Sequence, residues 1–273
     1  MRPDTSPRPA PSPGARPATP PADPRAALLK DRNFRWMIGG SALSMLGDQF
    51  TLIALPWLVL QMTGDTLVLG TVLALISVPR ALFILIGGAL VDRHSPKQVL
   101  MITKYVNLVL LAALAGLVFA GTLSLWMVYA LSLGIGLATA FSIPAGTAMM
   151  PSVVARTQLQ AANGISLGLR QLTMFLGPLL AGLLIALFGA GDATGAVTGT
   201  STHANATGIG MAFALDALSF AVSAWTLSKV QPLAGLAGLS APAAAPQAVL
   251  ASVAQGLGHF WRDSELRTCF LYW

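Results

Sequence analysis

The chain has 273 residues, of which 55% are hydrophobic and only 10% are charged. Soluble domains carry about 25% charged residues, so this composition excludes a protein that is exposed to water on all sides. The net charge is +6, but the basic residues are scattered along the chain instead of forming one basic domain, which argues against a nucleic-acid partner.

The predicted elements are a disordered tail followed by membrane-spanning helices. Residues 1–27 contain nine prolines and predict a disordered cytoplasmic tail. Six apolar segments follow, and each has the roughly 20 residues needed to cross about 30 Å of hydrocarbon. We therefore predict an all-α membrane protein with a six-span bundle over residues 28–229. The spans lie near residues 37–62, 67–91, 99–120, 123–145, 160–188 and 209–228.

The charges between the spans predict the orientation in the membrane. If the N-terminus is cytoplasmic, the three outer loops, near 63–66, 121–122 and 189–208, contain no lysine or arginine. The basic residues outside the spans then all fall on the inner side, and Lys104, one turn inside the third span, counts with them. This positive-inside pattern predicts a multi-pass protein of the bacterial plasma (inner) membrane with a cytoplasmic N-terminus.

The sequence after the sixth span no longer predicts a complete membrane span. Residues 230–265 predict a cytoplasmic linker with an amphipathic helix over 249–261, which would lie on the membrane surface or pack on protein. Residues 266–273 are apolar and similar to the first two turns of a seventh span, but eight residues cannot cross a bilayer. We therefore expect an N-terminal fragment, with the missing C-terminal half as its partner.

The loop between the second and third spans carries a motif. Residues 87–97 read GGALVDRHSPK, and from Gly88 they fit G-x-x-x-D-R-x-x-x-K. This resembles the signature loop of the major facilitator superfamily. The resemblance implies a gating loop in which Gly88 lets a helix approach, Asp92 and Arg93 pair to stabilise one access state, and Lys97 completes the pattern. Alternatively, the charges only anchor an ordinary cytoplasmic loop.

Two further stretches narrow the resemblance. TMFLGPLLAG, residues 173–182, is similar to the fifth-helix motif of exporters in this superfamily, through Gly177, Pro178 and Gly182. The connection at 141–171 resembles that of exporters related to enterobactin and macrolide efflux proteins, the transmembrane secretion effectors. The implied fold is the six-helix N-terminal bundle of a major facilitator, built from two inverted three-helix repeats, with the start of a seventh helix.

Three ionisable residues inside the predicted spans are candidates for coupling or substrate binding. These are Asp48 in the first span, Arg80 in the second and Asp216 in the sixth. A charge at the bilayer centre costs about 2.5–3.5 kcal/mol on insertion scales, so each should face the bundle interior or a water-filled cavity. Arg80 is the natural partner for an acid or a substrate anion. A helix-packing role is the alternative for all three.

The resulting functional hypothesis is a secondary active transporter embedded in the lipid bilayer. The resemblance implies ion-gradient-driven efflux, with protons as the coupling ion, of a small amphipathic molecule such as a drug or siderophore. We find no phosphate-binding loop, and the three histidines form no metal cluster, so no enzyme activity, cofactor or metal is predicted. The alternatives are a six-span permease subunit of an ATP-driven transporter and a non-transporting membrane sensor or assembly protein.

Overall fold

A computed structural model describes residues 24–189 and 201–231 of the chain. The predicted tail up to residue 23, the amphipathic segment at 249–261 and the predicted start of a seventh span at 266–273 lie outside these residues. Helix α1 begins at Pro24, inside the segment predicted to be disordered. The described helices are α1 (Pro24–Lys30), α2 (Arg32–Thr63), α3 (Thr66–Arg93), α4 (Pro96–Phe119), α5 (Leu125–Val153), a 3-10 turn (Arg156–Gln158), α6 (Leu159–Gly189) and α7 (Ser201–Lys229).

Six of these helices, α2 to α7, are long and apolar enough to cross a membrane. They follow the order of the predicted spans, but two bounds differ. Helix α5 runs through Pro144 and Pro151 to Val153, past the predicted end near residue 145, because membrane helices tolerate internal proline. Helix α7 begins at Ser201, within the predicted outer loop.

The first span is delimited by two residues with specific backbone roles. Asp31 separates α1 from α2, and its Oδ1 accepts hydrogen bonds from the backbone N–H groups of Asn33 (2.7 Å) and Phe34 (3.3 Å). This caps two donors that have no partner within the helix. At the other end, Gly64 has a φ of +66°, which favours glycine and permits the tight turn into α3.

The helix packing follows the pattern of two inverted repeats. Helix α7 packs against α2, α4 and α6, α3 packs against α5, and α4 and α2 also contact α5 and α6 respectively. If α2–α4 is matched with α5–α7, the pair α2–α7 becomes α5–α4 and the pair α3–α5 becomes α6–α2, whereas the close pair α6–α7 has only a weak counterpart in α3–α4. Three crossings leave the chain on the opposite side of the membrane, so the second repeat is inverted relative to the first. The fold is thus the all-α bundle that the resemblance implies.

Buried apolar side chains form two clusters, one toward each end of the bundle. One cluster joins α2, α4 and α7 near the turns that follow α2 and α4, and it contains Leu55, Leu114 and Phe213. The other lies where α2 begins and α7 ends, and it contains Phe34 and Met149. We call this second end the basic end, because it carries the charges of Arg32, Arg35, Lys97, Arg156 and Lys229.

The exit of the chain from α7 is held at the basic end by two other helices. Lys97 Nζ on α4 donates to the carbonyl oxygens of Ser228 (3.2 Å) and Val230 (2.6 Å). The amide of Asn33 on α2 pairs with the backbone of Gln231, through Nδ2 to the carbonyl at 3.1 Å and Oδ1 from the N–H at 3.2 Å. Terminal helix carbonyls lack intrahelical partners, so these side chains stabilise the end of α7.

Replacing Lys97 by methionine is expected to destabilise the bundle moderately. The change removes a cation from the negative end of the α7 dipole and leaves two carbonyls without this donor, which costs about 1 kcal/mol. For a chain of this size we expect the midpoint of thermal unfolding to fall by about 2–4 °C. Lys30→Met, at the exposed end of α1, is the control, and equal midpoints for the two variants would contradict a capping role.

Candidate functional site

Three charged side chains lie inside membrane-spanning helices near the middle of the bundle. Asp48 is on α2, Lys104 on α4 and Asp216 on α7, the three helices that pack together in the centre. Lys104 is 6% exposed and Asp216 only 1% exposed. Intramembrane charges are costly and mark functional sites by default, so this group is the candidate transport site.

Asp216 is sealed between α7 and α2. Its carboxylate accepts a hydrogen bond from Thr51 Oγ1 on α2, and Ser219 Oγ, which donates to the Asp216 carbonyl oxygen at 2.7 Å, also lies 3.2 Å from Oδ1. Gly47 allows this close approach, because a β-carbon at Gly47 would collide with Asp216 Oδ1 and Ser219 Oγ. Two hydroxyl donors and a glycine thus hold Asp216 in a fixed position.

Lys104 projects from α4 toward α2 and α7 and is the cation of the group. Its Nζ donates to Ser44 Oγ on α2 at 3.2 Å and lies 5.5 Å from the ring centre of Phe220 on α7. A hydroxyl and an aromatic face replace part of the hydration that the ammonium loses on burial. Lys104 also interacts electrostatically with Asp48, and Asp48 with Asp216.

Asp48 differs from the other two charges in its accessibility. Its side chain is exposed on the surface of the described bundle, whereas Lys104 and Asp216 are buried. Asp48 therefore lies at the opening of the site, with a lysine and a second acid behind it. A proton or a small cation could reach Asp48 without entering the packed helix interface.

Arg80 does not join this group. Its side chain is exposed on α3, and within the part of the chain that the structure describes it makes no ion pair with Asp48 or Asp216. The sequence analysis proposed Arg80 as the partner of an acid. In the structure, the basic residue that interacts with Asp48 is Lys104. The sequence analysis placed Lys104 one turn inside the third span and counted it with the inner cations, and the structure shows in addition that its side chain is buried.

The predicted gating loop lies between α3 and α4 at the basic end. A β-carbon on Gly88 would meet nothing within 4 Å, whereas one on Gly87 would lie 2.7 Å from the carbonyl oxygen of Ala140 on α5. Among the described residues, the close helix approach therefore falls at Gly87. The side chains of Asp92 and Arg93 lie outside the described part of the structure, and Lys97 binds the end of α7 as given above.

The fifth-helix motif places one glycine against the candidate site. A β-carbon on Gly177 of α6 would collide with the side chain of Gln49, the neighbour of Asp48 on α2. Gly182 meets nothing within 4 Å, and Pro178 is an exposed residue inside α6. Gly177 therefore sets how closely α6 approaches α2 beside Asp48.

A comparison with protein families identifies the kind of bundle that holds this site. Residues 24–204, which include five of the six spans and the start of the sixth, match the family described as transmembrane secretion effector. The chain belongs to this family. The sequence analysis based the resemblance on three short motifs, and the family match covers about two-thirds of the sequence.

Several curated proteins are similar to this transmembrane secretion effector. Macrolide efflux protein A of Streptococcus pyogenes is 29% identical over 149 residues, which cover 55% of this chain and 37% of that protein. The multidrug efflux pump Tap of Mycolicibacterium fortuitum is 29% identical over 232 residues, 81% of this chain and 50% of the pump. Tap of Mycobacterium tuberculosis H37Rv is 30% identical over 236 residues, 81% and 49% respectively.

The chain spans about half the length or less of the curated relatives it matches. No solved structure matches it. Within the described residues, no group of three or more His, Cys, Asp or Glu side chains could hold a metal ion.

Sequence reasoning missed the polar partners of the charged residues in this secretion effector. Thr51 and Ser219 serve Asp216, and Ser44 serves Lys104. The available signal is helical spacing, because Thr103, Lys104 and Asn107 fall on one buried face of α4 in an otherwise apolar stretch. A buried polar stripe of this kind predicts a neighbour with matching groups.

Replacing Thr51 by valine is expected to destabilise the bundle without changing its shape. The substitution keeps the branched side chain but removes a donor from the buried Asp216 carboxylate, which costs about 1–3 kcal/mol. We expect a lower midpoint of thermal unfolding in detergent. Thr71→Val is the matched control, since that exposed hydroxyl bonds only the Leu67 carbonyl of its own helix. A Thr51→Val midpoint no lower than that of Thr71→Val would contradict the arrangement.

Proposed function

We propose that this protein is a secondary active exporter in which Asp48 binds and releases the coupling proton. The observation that carries the proposal is the group of Asp48, Lys104 and Asp216 inside the membrane-spanning helices. The family and the efflux proteins among its relatives support an exporter, and the buried charges supply a place where an ion gradient can act.

The charges of the site support an exchangeable proton at Asp48. Asp48 interacts with the Lys104 ammonium and with the Asp216 carboxylate, so it is the member of the group that feels both other charges. Asp216 is fixed by hydroxyl donors and closed to solvent, whereas Asp48 is open. Protonation of Asp48 removes the negative charge that attracts Lys104 on α4 and repels Asp216 on α7, and so changes the forces that act on these two helices from α2.

Such a change can bias the protein between two access states. Helices α2 and α7 approach closely at Gly40 and at Gly47, which lies against Asp216, so a change of charge at the site acts beside a close helix contact. In transporters built of inverted repeats, sites near the bilayer midplane are exposed alternately to each side as the halves move. We propose that a second half, absent from this chain, completes the site opposite Asp48.

For the orientation we propose that the basic end faces the cytoplasm of a bacterial inner membrane. Its cations, among them Arg32, Lys97 and Lys229, agree with the positive-inside rule. The opposite turns contain Gly64, Asp65 and Gly121 and no basic residue. The substrate class we propose is a small amphipathic drug, for which a macrolide antibiotic is the first probe because one relative is named for its efflux.

The test is accumulation of a radiolabelled macrolide in cells that express this chain together with the proposed second half. We expect lower accumulation than in cells without it, and a protonophore should remove the difference. Asp48→Asn should abolish export, whereas Asp65→Asn should leave it unchanged, because Asp65 is an exposed residue that accepts a hydrogen bond from the Leu67 N–H in the turn before α3.

Two outcomes would contradict the proposal. Export that resists the protonophore and depends on ATP would favour the six-span permease of an ATP-driven transporter. Full activity of Asp48→Asn, with protonophore sensitivity retained, would place the coupling site elsewhere.

A further inference from the structure

An apolar groove runs along the flank of the bundle between α4 and α5. It encloses about 800 Å³. Its α4 wall includes Ile102, Val106 and Leu110, and its α5 wall includes Gly134, Leu137 and Phe141. Gly134 lets Leu110 of α4 pack closely on α5, because a β-carbon there would lie 3.1 Å from Leu110.

The groove is separate from the candidate transport site. Ile102 and Lys104 are two residues apart on α4, which puts their side chains about 200° apart around the helix axis. Lys104 faces α2 and α7, whereas Ile102 and Val106 are 63% and 42% exposed. In a membrane protein such exposed apolar side chains face lipid, so the groove opens to the bilayer.

The polar residues of the groove lie at one end. His94 and Gln98 line it at the basic end. Thr103 also lines the wall, but its hydroxyl bonds the Leu100 carbonyl of its own helix at 2.9 Å. An occupant that fits this distribution is apolar along its length and polar at the end near His94 and Gln98.

The length of the groove matches one leaflet. From Gln98 to Leu110 the α4 wall rises by about 18 Å. Half of the hydrocarbon core of a bilayer is about 15 Å thick. An acyl chain inserted from the headgroup level at the basic end therefore reaches about as far as the groove extends.

We propose that this groove binds one acyl chain of an anionic phospholipid from the leaflet at the basic end. The phosphate lies near Gln98, whose side-chain amide N–H groups can donate to it. The cations that define the basic end attract an anionic headgroup to the same level. This lipid site is independent of the exporter mechanism, because it occupies the other side of α4.

The test is native mass spectrometry of the detergent-purified protein after incubation with phosphatidylglycerol. We expect one lipid to remain bound to the unaltered chain. Val106→Phe, which fills the groove, should lose it. Val109→Phe is the matched control, since Val109 is 65% exposed on the same helix but does not line the groove, and it should retain the lipid.

Gln98→Leu tests the headgroup end. We expect this variant to retain less phosphatidylglycerol than the unaltered chain at the same lipid concentration, and equal retention would overturn the placement of the phosphate. Absence of bound lipid from the unaltered chain, or equal retention by the two phenylalanine variants, would overturn the site. A dimer that disappears only in Val106→Phe would assign the groove to a second copy of the chain instead of a lipid. Circular dichroism of each variant shows that the helices have formed.

Discussion

Replacing Lys104 by methionine is expected to destabilise the bundle strongly and to abolish export. The substitution removes the only cation among the described residues that acts on Asp48, and it leaves two acids facing each other inside the membrane. The variant loses the bond of the buried ammonium to Ser44 Oγ, a charged hydrogen bond of a kind that contributes about 1.5–3 kcal/mol, and also the attraction of the ammonium to the exposed Asp48. The measurements are the yield of monodisperse protein in detergent and the midpoint of its thermal unfolding.

The double variant Asp48→Asn with Lys104→Met separates stability from transport. Removing the opposing acid together with the lysine relieves most of the imbalance, so we expect the yield and the unfolding midpoint to recover. Export should remain absent, because the exchangeable carboxylate is gone. Recovery of macrolide export in the double variant would show that the charges serve only packing, and a stable, active Lys104→Met variant would show that charge balance is not needed.

The second large effect is expected for Gly136→Val on α5. A β-carbon at Gly136 would lie 2.5 Å from the carbonyl oxygen and 2.8 Å from the Cα of Ile76 on α3. These are backbone atoms, so the helix itself must move. Overpacking a core costs about 1–3 kcal/mol even where side chains can adjust. Because α5 is the main neighbour of α3, we expect α3 to lose its place and folded protein to be scarce.

Gly146→Val on the same helix is the matched control. A β-carbon at Gly146 meets nothing within 4 Å, so the two variants change helix propensity alike and differ only in the neighbour. Fluorescence-detected size exclusion compares their folded fractions. Equal peaks for the two variants would contradict the close contact of α3 and α5 at Gly136.

The sequence predicted the order of the spans because a bilayer demands long apolar helices, and that demand is local. It also singled out Asp48 and Asp216, since an acid in an apolar stretch stands out at any orientation of the helix. The direction in which a side chain points around its helix, and the residues it contacts, depend on the packing of the helices. The predictions of these properties were weaker. Lys104 was counted with the cytoplasmic lysines because its depth depends on where α4 begins, which Pro96 determines. Its partners Ser44 and Phe220 come from two other helices.

The gating-loop motif and the fifth-helix motif show the same difference between what a local pattern predicts and what the packing decides. A glycine-rich pattern predicts that helices meet near it, but the packing decides which glycine is used. Among the described residues, close contact occurs at Gly87 instead of Gly88, and at Gly177 but not at Gly182. The residues that select one glycine, Ala140 and Gln49, lie far away in the sequence, so no local pattern could have indicated them.

The junction at the end of α7 has a mechanical consequence. Lys97 and Asn33 tie the backbone of residues 228–231 to α4 and α2. A pull on residue 231 is therefore shared by α2, α4 and α7. The part of the chain after residue 231 starts from a position that these helices hold. A movement of that position would also move the start of α4 and the signature loop before it.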